Sequence, residues 1–143
     1  VTTFQVEFLV PEGELWSGKA ELVIAKTLDG DIGVKAGHSP VLGILAQGSV
    51  VTIRPEPGAE GSEDRSDVLA AVAGGFFSVA DDRVSILARQ GQLGRDVDAA
   101  AARAGLDTAL QDAAASADSD GEPAEVRYLR ALLRAAGESD DRA

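Results

Sequence analysis

The sequence predicts a β + α fold: an N-terminal antiparallel β-sandwich or flattened barrel followed by a C-terminal two-helix hairpin. Three observations carry that prediction. The 143-residue chain changes composition near residue 91, with every Phe, every Ile and four of the five Pro before that point and Ala, Asp and Arg dominant after it. Before the change, apolar residues recur in short runs broken by Gly and Pro. After it, they recur at helical spacing. The expected division is a β domain over residues 1–90 and a helical hairpin with tail over residues 91–143.

In the first part, Phe4, Val6, Phe8 and Val10 alternate with Thr3, Gln5, Glu7 and Leu9, the period of a half-buried strand, and Pro11-Glu12-Gly13 closes it. Leu22 to Ala25 is a short apolar run ended by the hairpin dipeptide Asp29-Gly30. Further strands are predicted at Ile32–Val34, Val41–Leu45, Ser49–Arg54, Val68–Ala73, Phe76–Val79 and Val84–Ala88, with an Asp81-Asp82 turn before the last. Many short strands at close spacing suit a sandwich or barrel. The polar, acidic run Pro55–Ser66 reads as an exposed hairpin loop.

In the second part, Asp96 or Asp98 is placed to cap an Ala-rich helix reaching about Ala117, which Gly105 weakens. Ser116–Gly121 reads as a break. Pro123 then suits the first turn of a second helix, which Gly137 ends. On that helix Val126, Leu129, Leu132, Leu133 and Ala136 share one face, and Arg127, Arg130 and Arg134 form a separate stripe. The first helix is poor in large apolar residues, so a loosely docked hairpin is expected.

Charge and residue usage exclude several classes of function. The net charge is −11, from 13 basic and 24 acidic residues, the wrong sign for a partner with a phosphate backbone. Residues 1–90 hold 7 basic and 13 acidic groups, and residues 91–143 hold 6 and 11, so both parts are acidic. The chain has no Cys and one His, which removes thiol chemistry and any multi-His metal cluster. No run approaches the ~20 apolar residues of a membrane span, and the N-terminus lacks a signal-peptide layout. An acidic, soluble, unsecreted protein without direct membrane insertion is expected.

Four segments imitate chemistry. Gly13–Ala20 matches G-x-x-x-x-G-K but ends in Ala20 where a P-loop needs Ser or Thr for Mg²⁺, and a strand pattern follows it. His38 lies in Gly37-His38-Ser39-Pro40, where its neighbour Ser39 would point away from it in extended backbone; a shaped turn fits better than a catalytic pair. Asp118 to Glu122 lacks the ligand count of a calcium loop, and Asp29-Gly30-Asp31 reads as a turn. The arginine stripe has two readings: a solvated helix face, or a surface that docks on an acidic partner. The residues thus point to a binding or regulatory module, with no catalytic centre and no cofactor or metal site.

The run Gly30-Asp31-Ile32-Gly33-Val34-Lys35-Ala36-Gly37-His38-Ser39-Pro40-Val41-Leu42 resembles the G-E-(I/L)-G-(I/V)-x-P-G-H-x-P-L motif of the epsilon subunit of the bacterial F-type (F1Fo) ATP synthase. Trp16-Ser17-Gly18, Gly74-Gly75-Phe76 and Val84 to Ala88 extend the resemblance over roughly residues 4–98, and the Ala-rich remainder is similar to actinobacterial versions. The resemblance implies a non-catalytic rotor subunit at the cytoplasmic face of the membrane, joining the c-ring to gamma. It implies that Gly30, Asp31, Gly33, Gly37 and His38 meet the c-ring and gamma. It also implies a helical arm that restrains ATP hydrolysis, with Arg127, Arg130 and Arg134 contacting the beta subunit of the alpha/beta hexamer.

The chain departs from the family pattern in three places. Ala36 replaces the usual Pro, and Pro55–Ser66 is a long loop. The (I/L)-D-x-x-R-A motif that binds ATP in some members reads Val97-Asp98-Ala99-Ala100-Ala101-Ala102-Arg103 here. Arg103 then falls about 140° around the helix from Asp98, which argues against ATP binding by the arm. The alternative from another class is a free-standing β-sandwich ligand-binding module without enzymatic role, a reading that the low aromatic content disfavours.

Overall fold

Strand β1 (Phe4–Val10) points Phe4, Val6 and Phe8 into the interior, as its alternation requires, and the turn at Glu12 leads into β2 (Gly13–Thr27). In the computed structural model, which describes residues 3–56, 67–115 and 122–138, β2 is long enough to serve both halves of one continuous sheet. Along one edge its first half pairs with β1 and its second half with β3 (Gly30–Val34); along the other, Ala20 to Ile24 pair with β5 (Gln47–Pro55).

The remaining strands extend these two halves. One half runs β4 (Val41–Ile44), β7 (Gly75–Ala80), β8 (Arg83–Ala88), β1 and β2. The other runs β3, β2, β5, β6 (Val68–Ala73) and β9 (Gly91–Leu93). All pairings are antiparallel except β1 with β8, which is parallel. Phe8, Val23, Val34, Ile53, Val72, Phe77, Ile86 and Leu93 belong to a single buried cluster, so both halves close on one core. Among the predicted strands the existence of each holds. Two stretches of strand lie outside the predicted runs: Gly91–Leu93, and the first half of β2, where the P-loop-like run is continuous strand without a turn.

A 3₁₀ turn (Gly94–Asp96) leads to α1 (Ala99–Ala115), whose first turn is capped by Asp98: its Oδ1 accepts from the Ala101 N–H at 3.1 Å. The predicted break at 116–121 lies outside the described residues, as do 57–66 of the predicted loop. Helix α2 (Ala124–Ala135) follows Pro123 and ends at Gly137, whose φ of +85° permits a Schellman closure. There the Glu138 N–H donates to the Leu133 carbonyl at 2.8 Å and the Gly137 N–H to that of Arg134 at 3.0 Å.

The hairpin is seated more closely than its composition suggests. Helix α2 lies on the outer face of β5 and β6, and α1 packs on α2. Ala71 faces outward from β6 and is nonetheless fully buried, in a second core with Leu106, Val126, Ala131 and Leu133. Loose docking was expected because α1 holds few large side chains. Small residues permit a close approach here: Ala71, Ala131 and Ala135 are buried between the layers, and Gly48 and Gly94 lie against the α2 backbone.

Candidate functional site

The residues singled out in sequence fall into two places on one side of the sandwich. Gly30, Asp31 and Gly33 stand on β3, an edge strand whose hairpin with β2 is set by Thr27. The Thr27 hydroxyl donates to the Gly30 carbonyl at 2.7 Å and accepts from the Asp29 N–H at 3.1 Å. Asp31 lies opposite Lys26, and Gly33 opposite Ile24, with all four on the outward face. Ile32 and Val34, between them, face the core.

Gly37 and His38 occupy the loop from β3 to β4. The Gly37 N–H donates to Asp82 Oδ1 at 2.6 Å, which ties this loop to the turn between β7 and β8. His38 Nδ1 donates to the Ser39 carbonyl at 2.7 Å, the carbonyl requiring that the proton sit on Nδ1. That leaves Nε2 for an external partner and no geometry for a Ser39–His38 nucleophilic pair. Gly33, Gly37 and His38, with Leu22 and Lys35, line one depression of about 320 Å³.

The arginine stripe comes to the same side. Arg127, Arg130 and Arg134 face Lys26, Leu28 and Asp31 across a groove of about 750 Å³ between α2 and the β2–β3 hairpin. The Arg134 guanidinium donates to the Gly48 carbonyl at 3.2 Å, and Arg130 Nε lies 3.1 Å from Glu122 Oε2. The stripe in the seated hairpin is therefore a groove wall, a placement between the two readings of a solvated face and a docking surface.

Sequence reasoning missed an exposed apolar row. Ile44 pairs with Phe76, Phe76 with Leu87, and Leu87 with Leu9, making one apolar row across β4, β7, β8 and β1. Phe76 is 53% exposed and Leu87 50%, on the outer face of the half that the hairpin leaves bare. Leu42 is exposed on the same strand as Ile44, and the Leu28 N–H donates to the Ile44 carbonyl at 3.0 Å, extending the row toward the β2–β3 turn. The signal was present: Phe76-Phe77 and Ile86-Leu87 put apolar residues at successive positions, so one of each pair must face outward. Such a contiguous patch marks an interaction surface.

Among the described residues, no helix is long and apolar enough to cross a membrane.

Comparisons with known proteins agree with this architecture. The family profile described as "ATP synthase, Delta/Epsilon chain, beta-sandwich domain" matches residues 3–93. An ATP synthase epsilon chain of Thermobifida fusca is 46% identical over 132 residues, 92% of this chain and 90% of that one. That of Streptomyces griseus is 44% identical over 129 residues, 90% of this chain and 95% of that one. That of Rhodococcus erythropolis is 42% identical over 130 residues, 91% and 96% respectively. A chain in the structure of the Euglena gracilis mitochondrial ATP synthase (OSCP/F1/c-ring) shares the fold with a TM-score of 0.69 at 18% identity, covering 96% of this chain and 81% of that one.

Proposed function

The chain belongs to the ATP synthase delta/epsilon family, and on that premise we propose that it is a non-catalytic part of the rotor, joining gamma to the c-ring at the cytoplasmic face of the membrane. The observation that carries the reading is the bare apolar row Ile44–Phe76–Leu87–Leu9, which ends at the β2–β3 turn leading into Gly30 and Asp31, where the Leu28 N–H donates to the Ile44 carbonyl. A broad apolar strip suits a permanent protein neighbour, here gamma. The polar edge of β3, with exposed Asp31, suits the loops of a ring that turns with it.

The arm is read as a brake on ATP hydrolysis that works when it leaves the sandwich. Seated, the stripe is engaged: Arg134 on Gly48 and Arg130 on Glu122. Released, Arg127, Arg130 and Arg134 form one cationic face suited to carboxylates of the beta subunit in the alpha/beta hexamer. ATP is not expected to be the arm's ligand, because Arg103 follows Asp98 by five residues and so falls about 140° around α1 from it.

Copurification tests the rotor reading. The chain should bind gamma, or a gamma–c-ring complex, at one copy per gamma, and a variant with Phe76→Ser and Leu87→Ser should bind far more weakly while remaining folded. Unchanged binding by that variant would remove the apolar row from the interface.

A further inference from the structure

Among the described residues three strands have a single neighbour in the sheet: β3, β4 and β9. Such edges offer unpaired main-chain groups, which proteins ordinarily protect with charge, glycine or brevity. Strand β3 carries Asp31 and two glycines besides its first, and β9 is three residues long. Strand β4 has no such protection: Leu42 is 73% exposed, on the face that carries the apolar row. One bond fixes where its main-chain groups point. The Leu45 N–H donates to the Gly75 carbonyl at 2.9 Å, in register with the pairs Val41–Val79, Leu42–Ser78, Gly43–Phe77 and Ile44–Phe76. Bonded and non-bonded pairs alternate in an antiparallel ladder, so Val41 and Gly43 bond toward β7, and Leu42 and Ile44 turn their groups to the open edge. There the Leu28 N–H donates to the Ile44 carbonyl at 3.0 Å, and the Ala46 N–H to the Lys26 carbonyl at 2.9 Å. The end of β2 thus covers the edge as far as Ile44 and stops. Beyond it the Leu42 N–H and C=O have no main-chain partner among the described residues.

We propose that gamma adds an extended segment to β4 at Leu42, continuing the edge that Lys26 to Leu28 begin. The inference rests on the rotor reading above and supplies its mode of recognition. Main-chain bonds to Leu42 set the register of the added segment, and its alternate side chains, apolar ones, lie beside Leu42, Ile44 and Phe76. Continuity selects this occupant: the open edge and the apolar row share β4, so one neighbour covers both. The charged edge of β3 suits no such segment, since an added strand there would lie against Asp31. A permanent neighbour also removes the hazard of an unprotected edge, which pairs with other chains when left bare.

Hydrogen exchange on the full-length chain, alone and with gamma, reads the edge directly. Alone, the Leu42 amide should exchange roughly tenfold or more faster than that of Gly43, which bonds to β7. With gamma bound, the Leu42 amide should slow by roughly tenfold or more. Two variants separate main chain from side chain: Leu42→Ala keeps the N–H, and Leu42→Pro removes it on the side that β7 does not use. The Pro variant should bind gamma roughly tenfold more weakly than the Ala variant. Equal binding by the two, or a Leu42 amide that stays fast in the complex, would overturn strand addition and leave the rotor reading standing. Protection of Leu42 in the isolated chain would also overturn it, by showing the edge already closed. Absence of gamma binding by the wild type would remove both readings together. If Leu42→Pro does not fold, the exchange measurement on the wild type decides alone.

Discussion

Asp82 Oδ1 accepts the Gly37 N–H at 2.6 Å, fastening the loop that carries His38 to a turn 45 residues away in sequence. Asp82 itself sits at φ +56°, a conformation that Asp and Asn tolerate better than other side chains, and its carbonyl also accepts the Gln5 N–H at 3.0 Å. One residue thus fixes the edge of β1 and the outward loop together.

Replacing Asp82 by Ala should cost about 1–3 kcal/mol, from the lost charge-assisted bond and the left-handed backbone without its polar side chain. Asp82→Asn should recover most of it, because Asn keeps an acceptor and suits the same φ. Thermal unfolding of the two variants checks the order. Equal destabilisation by both would assign the effect to charge alone.

Much of this arrangement was legible in the sequence. Period-2 runs, the Asp29-Gly30 and Asp81-Asp82 turns, the Asp98 cap and the Gly137 stop are local signals, and each stands where it was read. What was hidden depends on pairing partners far along the chain. Strand β9 is three residues long, too short for any period to show, and exists because Ala70 to Val72 offer it an edge. The meeting of Asp31 with the arginine groove depends on β3 and α2 sharing one side of a sheet, which no spacing encodes. The apolar row could have been found by asking which residue of each apolar pair faces outward.

Tyr128 provides a pH test of hairpin seating. Burial, reinforced by the Glu12 carboxylate, raises the hydroxyl's pKa above its ordinary 10.0. The folded chain then holds this proton more tightly than the unfolded chain does. The stabilisation is fully present below about pH 10 and is lost as pH rises through the raised value. Tyr128 is the only Tyr, so tyrosinate absorbance follows it directly. The titration should lie above the ordinary value and coincide with loss of α2 protection, and Glu12→Gln should move it down.

Gly105 is the opposite case to Gly48 and Gly94, which lie against the α2 backbone. It lies within α1, and an added Cβ would make ordinary contact with Leu129 Cδ2 at 3.4 Å. Gly105→Ala should stabilise the hairpin by up to about 1 kcal/mol through helix propensity. A melting temperature raised by roughly 3 °C is expected. A fall would show that α1 and α2 already touch too closely for a methyl group.

The arginine stripe separates docking from inhibition. Arg127→Ala, Arg130→Ala and Arg134→Ala together should leave gamma binding intact and raise ATP hydrolysis by the assembled enzyme. Full retention of inhibition would return the stripe to a solvated face whose main service is the Arg134–Gly48 hydrogen bond.

Titrating the purified chain against gamma, with and without the c-ring, addresses the proposed role most directly. Saturable binding at one copy per gamma, weakened by Phe76→Ser with Leu87→Ser and unaffected by truncation before Ala99, is the expected result. Absence of binding, or binding carried by the helices in place of the apolar row, would rule out a rotor subunit docked through its β-sandwich.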